Sequence, residues 1–502
     1  MEINDMSAPE RLRSASTTGK TESANTKPLI DEFGCYVGGE WKRTSRKVDV
    51  HSPFDDALVA VIHRAGKVEV ASAIEHAVTA FRETRKLPVW KRAAILEKIS
   101  QGISERQEEF ARAIALEAGK PIKTARAEVS RAVFTFKVAA EETKRIYGEI
   151  VPLDWIPGNE GREAQVRRVP LGPVVGISPF NYPLNLVAHK VAPALAAGDP
   201  IILRPASQTP VSALRLAEVI RGSGWPLGGF SVVPCATQDA DALIEDERVK
   251  MLTFTGSPAV GWALKGRAGR KRVTLELGGN AGVIVHSDAD LKYAAERIVW
   301  GGFSYSGQSC VSVQRVYVHD SVYDAFLGEL IPRVQKLKLG DPLSEETDVG
   351  PVIDPQAAQR IEEWVSEAVG DGAVVLTGGE RSGNLFSPTV LANLKPAMRV
   401  CSQEVFAPLI GVQRYSDVKE AISAVDDSEF GLQAGLFTND WNVIHTAFEN
   451  IEVGGLMIND VSTFRVDHMP YGGVKQSGAG REGLRYAIEE MSEMKLLTLN
   501  PR

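Results

Sequence analysis

Three side chains of different chemistry stand in settings their types do not usually occupy. Cys310 closes the run GGFSYSGQSC, whereas an inert structural cysteine sits among apolar side chains. Glycine and serine leave backbone amides free and let a ligand come close to the sulfur, which suits a nucleophile; a core-filling role stays open on local context alone. Glu276 lies in VTLELGG, an apolar strand running into two glycines. Flanking leucines would raise the pKa of that carboxyl and fit it for general base work, although strand alternation would equally allow an exposed face. Asn181, held between prolines in PFNYP, offers an amide to a developing oxyanion or simply opens a turn. Together they offer a nucleophile, a base and an oxyanion donor.

A second group of residues could hold a phosphate. In TFTGSPAVG, Gly256 ends a strand, Ser257 stands at the N-cap and Pro258 at the favoured first helical position, with Gly261 one turn on. Free amides and the positive end of a helix dipole would face an anion there, although no GxGxxG is present and an ordinary capped turn reads the same way. The strand IILR puts Arg204 at the carboxyl end of a parallel sheet, where open α/β folds bind ligands; a surface ion pair is its plain alternative.

Positioning these residues takes several layers. From Val68 to about Tyr147 apolar residues recur at helical spacing, with a break at Gly119 and Pro121. EIVPLDW and EAQVRRVPLG form two arms of a hairpin around IPGNEGR. Beyond Leu171, β-branched runs alternate with helical ones through GPVVGISP, PIILRPAS, FSVVPC and VKMLTFTG, the pattern of a doubly wound parallel sheet. A second alternation starts near Thr274 with TLELGGNAGVIV and continues through QRVYVH, AVVLTGG, FSPTVL and GVQRYS. At 502 residues the chain has room for about two to four domains. The net charge of −7 gives no reason to expect nucleic acid. Four scattered cysteines form neither a disulfide framework nor a metal pattern and suit a reducing, cytoplasmic setting. No apolar run approaches the roughly 18 residues that a bilayer needs. Residues 1–30, polar over most of their length, are expected to form a disordered tail.

The ordered series PFNYP, LRPASQTP, FTGS, LELGG, GQSC, QEVFAP and PYGGVKQSG resembles the aldehyde dehydrogenase superfamily from about Phe33 to Leu499. The resemblance implies an α/β fold with two doubly wound parallel-sheet domains and a β-hairpin oligomerisation arm. The expected division is a Rossmann-like cofactor domain at 31–148 and 170–275, the arm at 149–169 and 484–502, and a catalytic domain at 276–483. It further implies that the Cys310 thiolate attacks an aldehyde, that Asn181 and the Cys310 amide hold the oxyanion, and that Glu276 activates water against the thioester. Lys190 matches a proton-relaying lysine, or is an ordinary helical charge. Ser178, Phe180, Gly256, Ser257, Gly261 and Leu277 would line the cofactor site, with Glu404 on the nicotinamide ribose and Phe406 a wall beside it. Cys35, Cys235 and Cys401 are left as structural. No metal is implied, and a homodimer or homotetramer is.

Departures from the family pattern bear on specificity. Arg204 replaces the usual lysine, and Ser207 the glutamate common in NAD-preferring members. A 2′-phosphate would meet no carboxylate and would find a cationic fork, so NADP is permitted beside NAD. His189 stands where relatives acting on apolar aldehydes carry a bulky aromatic residue, and Arg465 lies in TFRVDHMP just before YGG. These resemble the branch of lactaldehyde, glyceraldehyde-3-phosphate and phosphonoacetaldehyde dehydrogenases, which implies a small polar or anionic aldehyde; a solvated rim charge is the alternative for Arg465. Ala407 replaces a usual glycine, with little effect expected. Glu276 argues against a coenzyme A-acylating member, and the set Cys310, Asn181, Glu276 and Glu404 against a catalytically silent structural protein on the same fold.

Overall fold

The computed structural model describes residues 31–500. The tail expected at residues 1–30 and the last two residues of the arm lie outside them.

Four helices, Lys67–Thr84, Val89–Glu105, Gln107–Ala118 and Ile122–Thr143, follow the helical periodicity of the sequence. The last buries Val129, Ala132, Phe136 and Ala140, one stripe at three- and four-residue spacing. Gly119, left-handed at φ 66°, ends the third helix where a side chain would be strained. The first of these helices packs on one face of an eight-stranded sheet and the other three join the core on its opposite face. The parallel centre of that sheet runs Arg272–Glu276, Met251–Thr255, Val174–Ile177, Ile201–Arg204, Phe230–Val232. The chain winds from Val174–Ile177 outward to Phe230–Val232, then returns to the other side of its first strand. That reversal opens a crevice beyond the carboxyl ends of Val174–Ile177 and Met251–Thr255, where doubly wound sheets take ligands. Ser178, Phe180 and Asn181 leave the first of those ends, and Gly256 and Ser257 the second.

A seven-stranded sheet forms the other large layer, in the order Val374–Thr377, Thr389–Ala392, Leu409–Tyr415, Val313–His319, Ala281–Val285, Gln433–Phe437, Gly455–Ile458. Only Val374–Thr377 at its edge is antiparallel. The stretch TLELGGNAGVIV, read as the start of this second alternation, is split between the sheets: Arg272–Glu276 closes the first and Ala281–Val285 opens the second. Apolar content cannot tell two strands of neighbouring sheets from one start. The crossing is made by Gly278 and Gly279, and a Cβ on Gly279 would run into the Cys310 carbonyl.

The hairpin arms are Glu149–Pro152 and Glu163–Pro170, and the C-terminal strand Ser492–Leu499 pairs antiparallel with the second, from Ser492 opposite Pro170 to Leu499 opposite Glu163. One hairpin edge is therefore closed within the chain. Among the described residues all four cysteines are unpaired, no helix is long and apolar enough to cross a membrane, and no cluster of His, Cys, Asp and Glu could hold a metal ion.

Candidate active site

Cys310 follows a loop that spends conformational energy to place it. Tyr305, Ser306 and Gly307 all take positive φ, at 50°, 57° and 66°, which is costly for the first two and is sustained only where surroundings fix it. The fixing bonds are visible: Tyr305 Oη donates to the Ala118 carbonyl (2.9 Å), Ser306 Oγ to the Gly350 carbonyl (2.7 Å), and Gln308 Oε1 accepts from Ile353 N (2.9 Å). Lys120 ties this loop to the Asn181 segment. Its ammonium lies over the rings of Tyr182 (3.6 Å) and Tyr305 (4.3 Å) and pairs with buried Glu128. Glu128 in turn accepts from the Leu184 and Asn185 amides (3.0 and 3.1 Å), satisfying the start of the helix Asn185–Ala197.

The asparagine side chain is buried and oriented, its Nδ2 donating to the Gln308 carbonyl at 2.9 Å, two residues before the cysteine. The Cys310 thiol is half-buried, and burial pushes it up to about 12, with the Tyr471 hydroxyl and Arg465 pulling it down and Glu404 and Glu276 opposing them. Cys35, Cys235 and Cys401 are buried in apolar cores and also raised by burial. Thiol acidity alone therefore does not single out Cys310; its polar, approachable surroundings do.

Glu276 is fully inside, not on an exposed strand face. Neither of its carboxyl oxygens has a hydrogen-bond partner among the described residues. Burial, then the negative charge of Glu482, holds it well above the usual carboxylate range. A buried carboxyl left without a partner is costly and marks a site of function rather than of stability.

Lys190 is likewise buried and is not a helical surface charge. It donates to Thr255 Oγ1 (2.6 Å) and Thr253 Oγ1 (3.3 Å) and pairs with Glu482 at 3.2 Å. Glu482 also pairs with Arg465 at 3.0 Å, and against the desolvation of burial these two cations bring its carboxyl down to about 2. Arg465, whose side chain is only 8% exposed, is not a solvated rim charge. Its guanidinium lies 3.6 Å from the centre of the Tyr471 ring and 3.3 Å from His189 Nε2. His189 stands 2.8 Å from Asp467, which can only accept, so Nε2 carries the proton and donates to it. Burial and then neighbouring Arg465 hold this imidazole neutral. Asp467 also accepts from Arg131 (2.7 Å) and Asn185 Nδ2 (3.2 Å), and despite burial His189 and then Arg131 keep it below the ordinary carboxylate range.

Four of these residues, Arg131, Asp467, Tyr471 and Glu482, were not assigned from sequence. Tyr471 sits inside the motif PYGG, but nothing in the motif says that its hydroxyl would lie 3.1 Å from Cys310 Sγ. Glu482 reads as a solvated charge in a glycine-rich turn, and its partner Lys190 is 292 residues away.

Comparison with known proteins bears on the whole constellation. The family model described as the aldehyde dehydrogenase family matches residues 41–497. The chain belongs to the aldehyde dehydrogenase family. A 3-sulfolactaldehyde dehydrogenase from Priestia aryabhattai is 47% identical over 472 residues, 94% of this chain and 98% of that protein. The structure of aldehyde dehydrogenase 21 from Physcomitrella patens, in complex with the reaction product succinate, is 44% identical with a TM-score of 0.92, covering 94% of this chain and 98% of that one. Glyceraldehyde-3-phosphate dehydrogenase GapN from Methanocaldococcus jannaschii, complexed with NADP, is 40% identical with a TM-score of 0.87, covering 91% and 100%. The enzyme is an NAD(P)-dependent oxidoreductase acting on aldehydes.

The crevice of this aldehyde dehydrogenase fits a dinucleotide. Ser257 occupies the N-cap of the helix Pro258–Arg267 but its side chain makes no capping bond, so the first amides remain free for a phosphate. Ser178 Oγ, buried at the crevice, has no partner among the described residues. Gly261 packs so closely on Leu277 that a Cβ there would collide with it. Glu404 Oε1 accepts from Gly279 N at 2.8 Å, and burial raises its carboxyl to about 7. The Phe406 ring stands edge-on to Phe180 at 5.9 Å. Arg204 is half-buried, its fork bonded to the Cys235 carbonyl and Thr237 Oγ1 (both 3.3 Å), and Ser207 is exposed beyond the same strand.

Proposed function

We propose that the enzyme oxidises a small aldehyde bearing an anionic group, with Cys310 as nucleophile and Glu276 as the base that activates water. In this reading the sulfur adds to the carbonyl carbon and the π electrons move to oxygen, where the Asn181 amide and the Cys310 N–H receive the charge. NAD(P)+, which Ser178, Gly256, Ser257 and Glu404 would hold, would accept the hydride released as the oxyanion re-forms its C=O bond and leaves the thioester. Glu276 then takes a proton from water as it attacks the thioester, and the thiolate leaves.

The observation that carries the anionic part is a buried cation beside the thiol. Arg465 lies over the ring of Tyr471, whose hydroxyl is 3.1 Å from Cys310 Sγ, and it shares the buried Glu482 carboxylate with buried Lys190. Two cations on one carboxylate leave positive charge in a desolvated place, and a substrate carboxylate, sulfonate or phosphate would balance it. Support also comes from relatives whose substrates or products, 3-sulfolactaldehyde, succinate and glyceraldehyde-3-phosphate, are anions. Arg465→Ala is expected to raise the Michaelis constant for a carboxylated aldehyde about tenfold to a hundredfold, the worth of one or two charge-assisted hydrogen bonds, and that for propanal far less. Steady-state kinetics on the two substrates decide it; equal increases would remove Arg465 from substrate recognition.

The arm supports assembly into dimers or tetramers. Ile150 and Leu497 are exposed on one face of its three-stranded sheet and Met494 and Leu496 on the other, with Trp155 (85% exposed) in the loop that joins the two arms; among the described residues the two outer strands each keep a free edge. Sedimentation at micromolar concentration should give a multiple of the 54.4 kDa chain, and Met494→Asp with Leu496→Asp a smaller species. A monomeric wild type would overturn this.

A further inference from the structure

We infer that Tyr471 is a positioning residue for the nucleophile: its hydroxyl donates a hydrogen bond to the Cys310 sulfur and holds the thiolate ready for attack. The inference rests on the assignment of Cys310 proposed above. The Oη to Sγ distance is 3.1 Å, and the hydroxyl has no other hydrogen-bond partner among the described residues. The phenol is fixed from its backbone outward. Tyr471 N donates to the Glu482 carbonyl at 3.1 Å and Glu482 N to the Tyr471 carbonyl at 2.6 Å, so its position is locked to the carboxylate that pairs Lys190 and Arg465. The ring packs with Cys310, Val311 and Leu432, a wall that a phenylalanine would complete equally well. Only the hydroxyl exceeds what the wall needs.

Arg465 lies over the face of that ring, 3.6 Å from its centre. A cation there is held by the ring's π electrons and draws density from the phenol, which makes the hydroxyl hydrogen a better donor. The other groups facing the sulfur are Glu276, Glu404 and Tyr182. The two carboxyls oppose a negative sulfur whenever they ionise, burial opposes it more, and Tyr471 and Arg465 are the groups that favour it. The phenol keeps its own proton throughout, because burial and the Cys310 charge hold its pKa well above the usual tyrosine range. The thiol proton leaves to solvent before attack. A sulfur lone pair then forms the C–S bond as the carbonyl π pair moves to oxygen, and the Tyr471 bond weakens as the sulfur loses its charge.

A charge-assisted hydrogen bond of this kind displaces a thiol pKa by about one to two units. A more basic thiolate is also the better nucleophile, which returns nearly half of the loss. Tyr471→Phe should therefore lower the iodoacetamide alkylation rate of Cys310 at fixed pH by about three- to tenfold and displace the rate profile upward by about half to one pH unit. The measurement is made on the purified full chain without aldehyde, with the Cys310 peptide quantified by mass spectrometry and Cys310→Ala as background. A wall residue would not move this profile. Overlapping profiles for wild type and Tyr471→Phe would overturn the inference. Should Tyr471→Phe melt at a lower temperature, Arg465→Met supplies the second variant: it too should slow alkylation, and an unmoved profile there would equally overturn the role. Failure of the Cys310 assignment would show separately, as aldehyde turnover retained by Cys310→Ala.

Discussion

Cys310→Ala is expected to lose aldehyde-dependent reduction of NAD(P)+ while cofactor affinity stays near that of wild type. Covalent catalysis has no second route here: the other thiols, Cys35, Cys235 and Cys401, lie in apolar cores, so none can take over the attack. The walls that would hold the cofactor, Ser178, Ser257 and Glu404, do not depend on the sulfur for their positions. Glu404 is held by Gly279 N, and Ser257 by the geometry of its helix. The loss should be steep, on the order of a thousandfold or more, since only oxyanion donors and binding remain. Absorbance at 340 nm with a carboxylated aldehyde gives the turnover, and fluorescence titration with NADP+ and NAD+ the affinities. Alanine at Cys35, Cys235 or Cys401 serves as the contrast and should cost stability before it costs chemistry, as truncations in a packed core do. Substantial turnover by Cys310→Ala would remove the nucleophile and with it the covalent mechanism.

The parts legible in the sequence were those whose signal is local. Alternating β-branched runs and helical stripes placed the parallel strands Val174–Ile177, Ile201–Arg204, Met251–Thr255 and Arg272–Glu276, because strands covered on both faces are rich in apolar residues. The hairpin arms, largely exposed, were legible from alternation instead, around a turn that holds a proline and two glycines. What was not legible depends on distance along the chain. Alternation left Glu276 free to face solvent, and only the sheet order, with Gly478–Ala479 paired against its strand and Gly472 beside its Oε1, encloses it. Arg465 read equally well as a rim charge because Glu482, Tyr471 and His189 meet it only in the folded chain. Asp467 gathers His189 and Arg131 from 278 and 336 residues away, a meeting that no window of sequence contains. The split of TLELGGNAGVIV is the same lesson at strand level, since periodicity says that a segment is a strand and not which sheet receives it.

Glu276→Gln is expected to separate the two halves of the reaction. Removing the base leaves thiol addition and oxidation in place but withdraws the acceptor for the proton of the attacking water, so steady-state turnover should fall by about a hundredfold or more, equivalent to about 2.7 kcal/mol on the deacylation barrier. The first turnover should survive. Rapid mixing would then show a burst approaching one reduced cofactor per active site, followed by a slow phase, whereas wild type shows a smaller burst or none. The pH dependence has a definite sign. Burial and the charge of Glu482 raise the Glu276 pKa, so the active carboxylate accumulates only as pH rises through that raised value, and wild-type turnover is lost as pH falls through it. Glutamine does not titrate, so this acidic limb should flatten in the variant. Added coenzyme A tests the same step from the other side: a thiol nucleophile that restores turnover to Glu276→Gln would place the block at thioester hydrolysis. Unchanged steady-state turnover in Glu276→Gln, or a variant with neither burst nor slow phase, would take the base away from deacylation and leave the unpartnered carboxyl without a role.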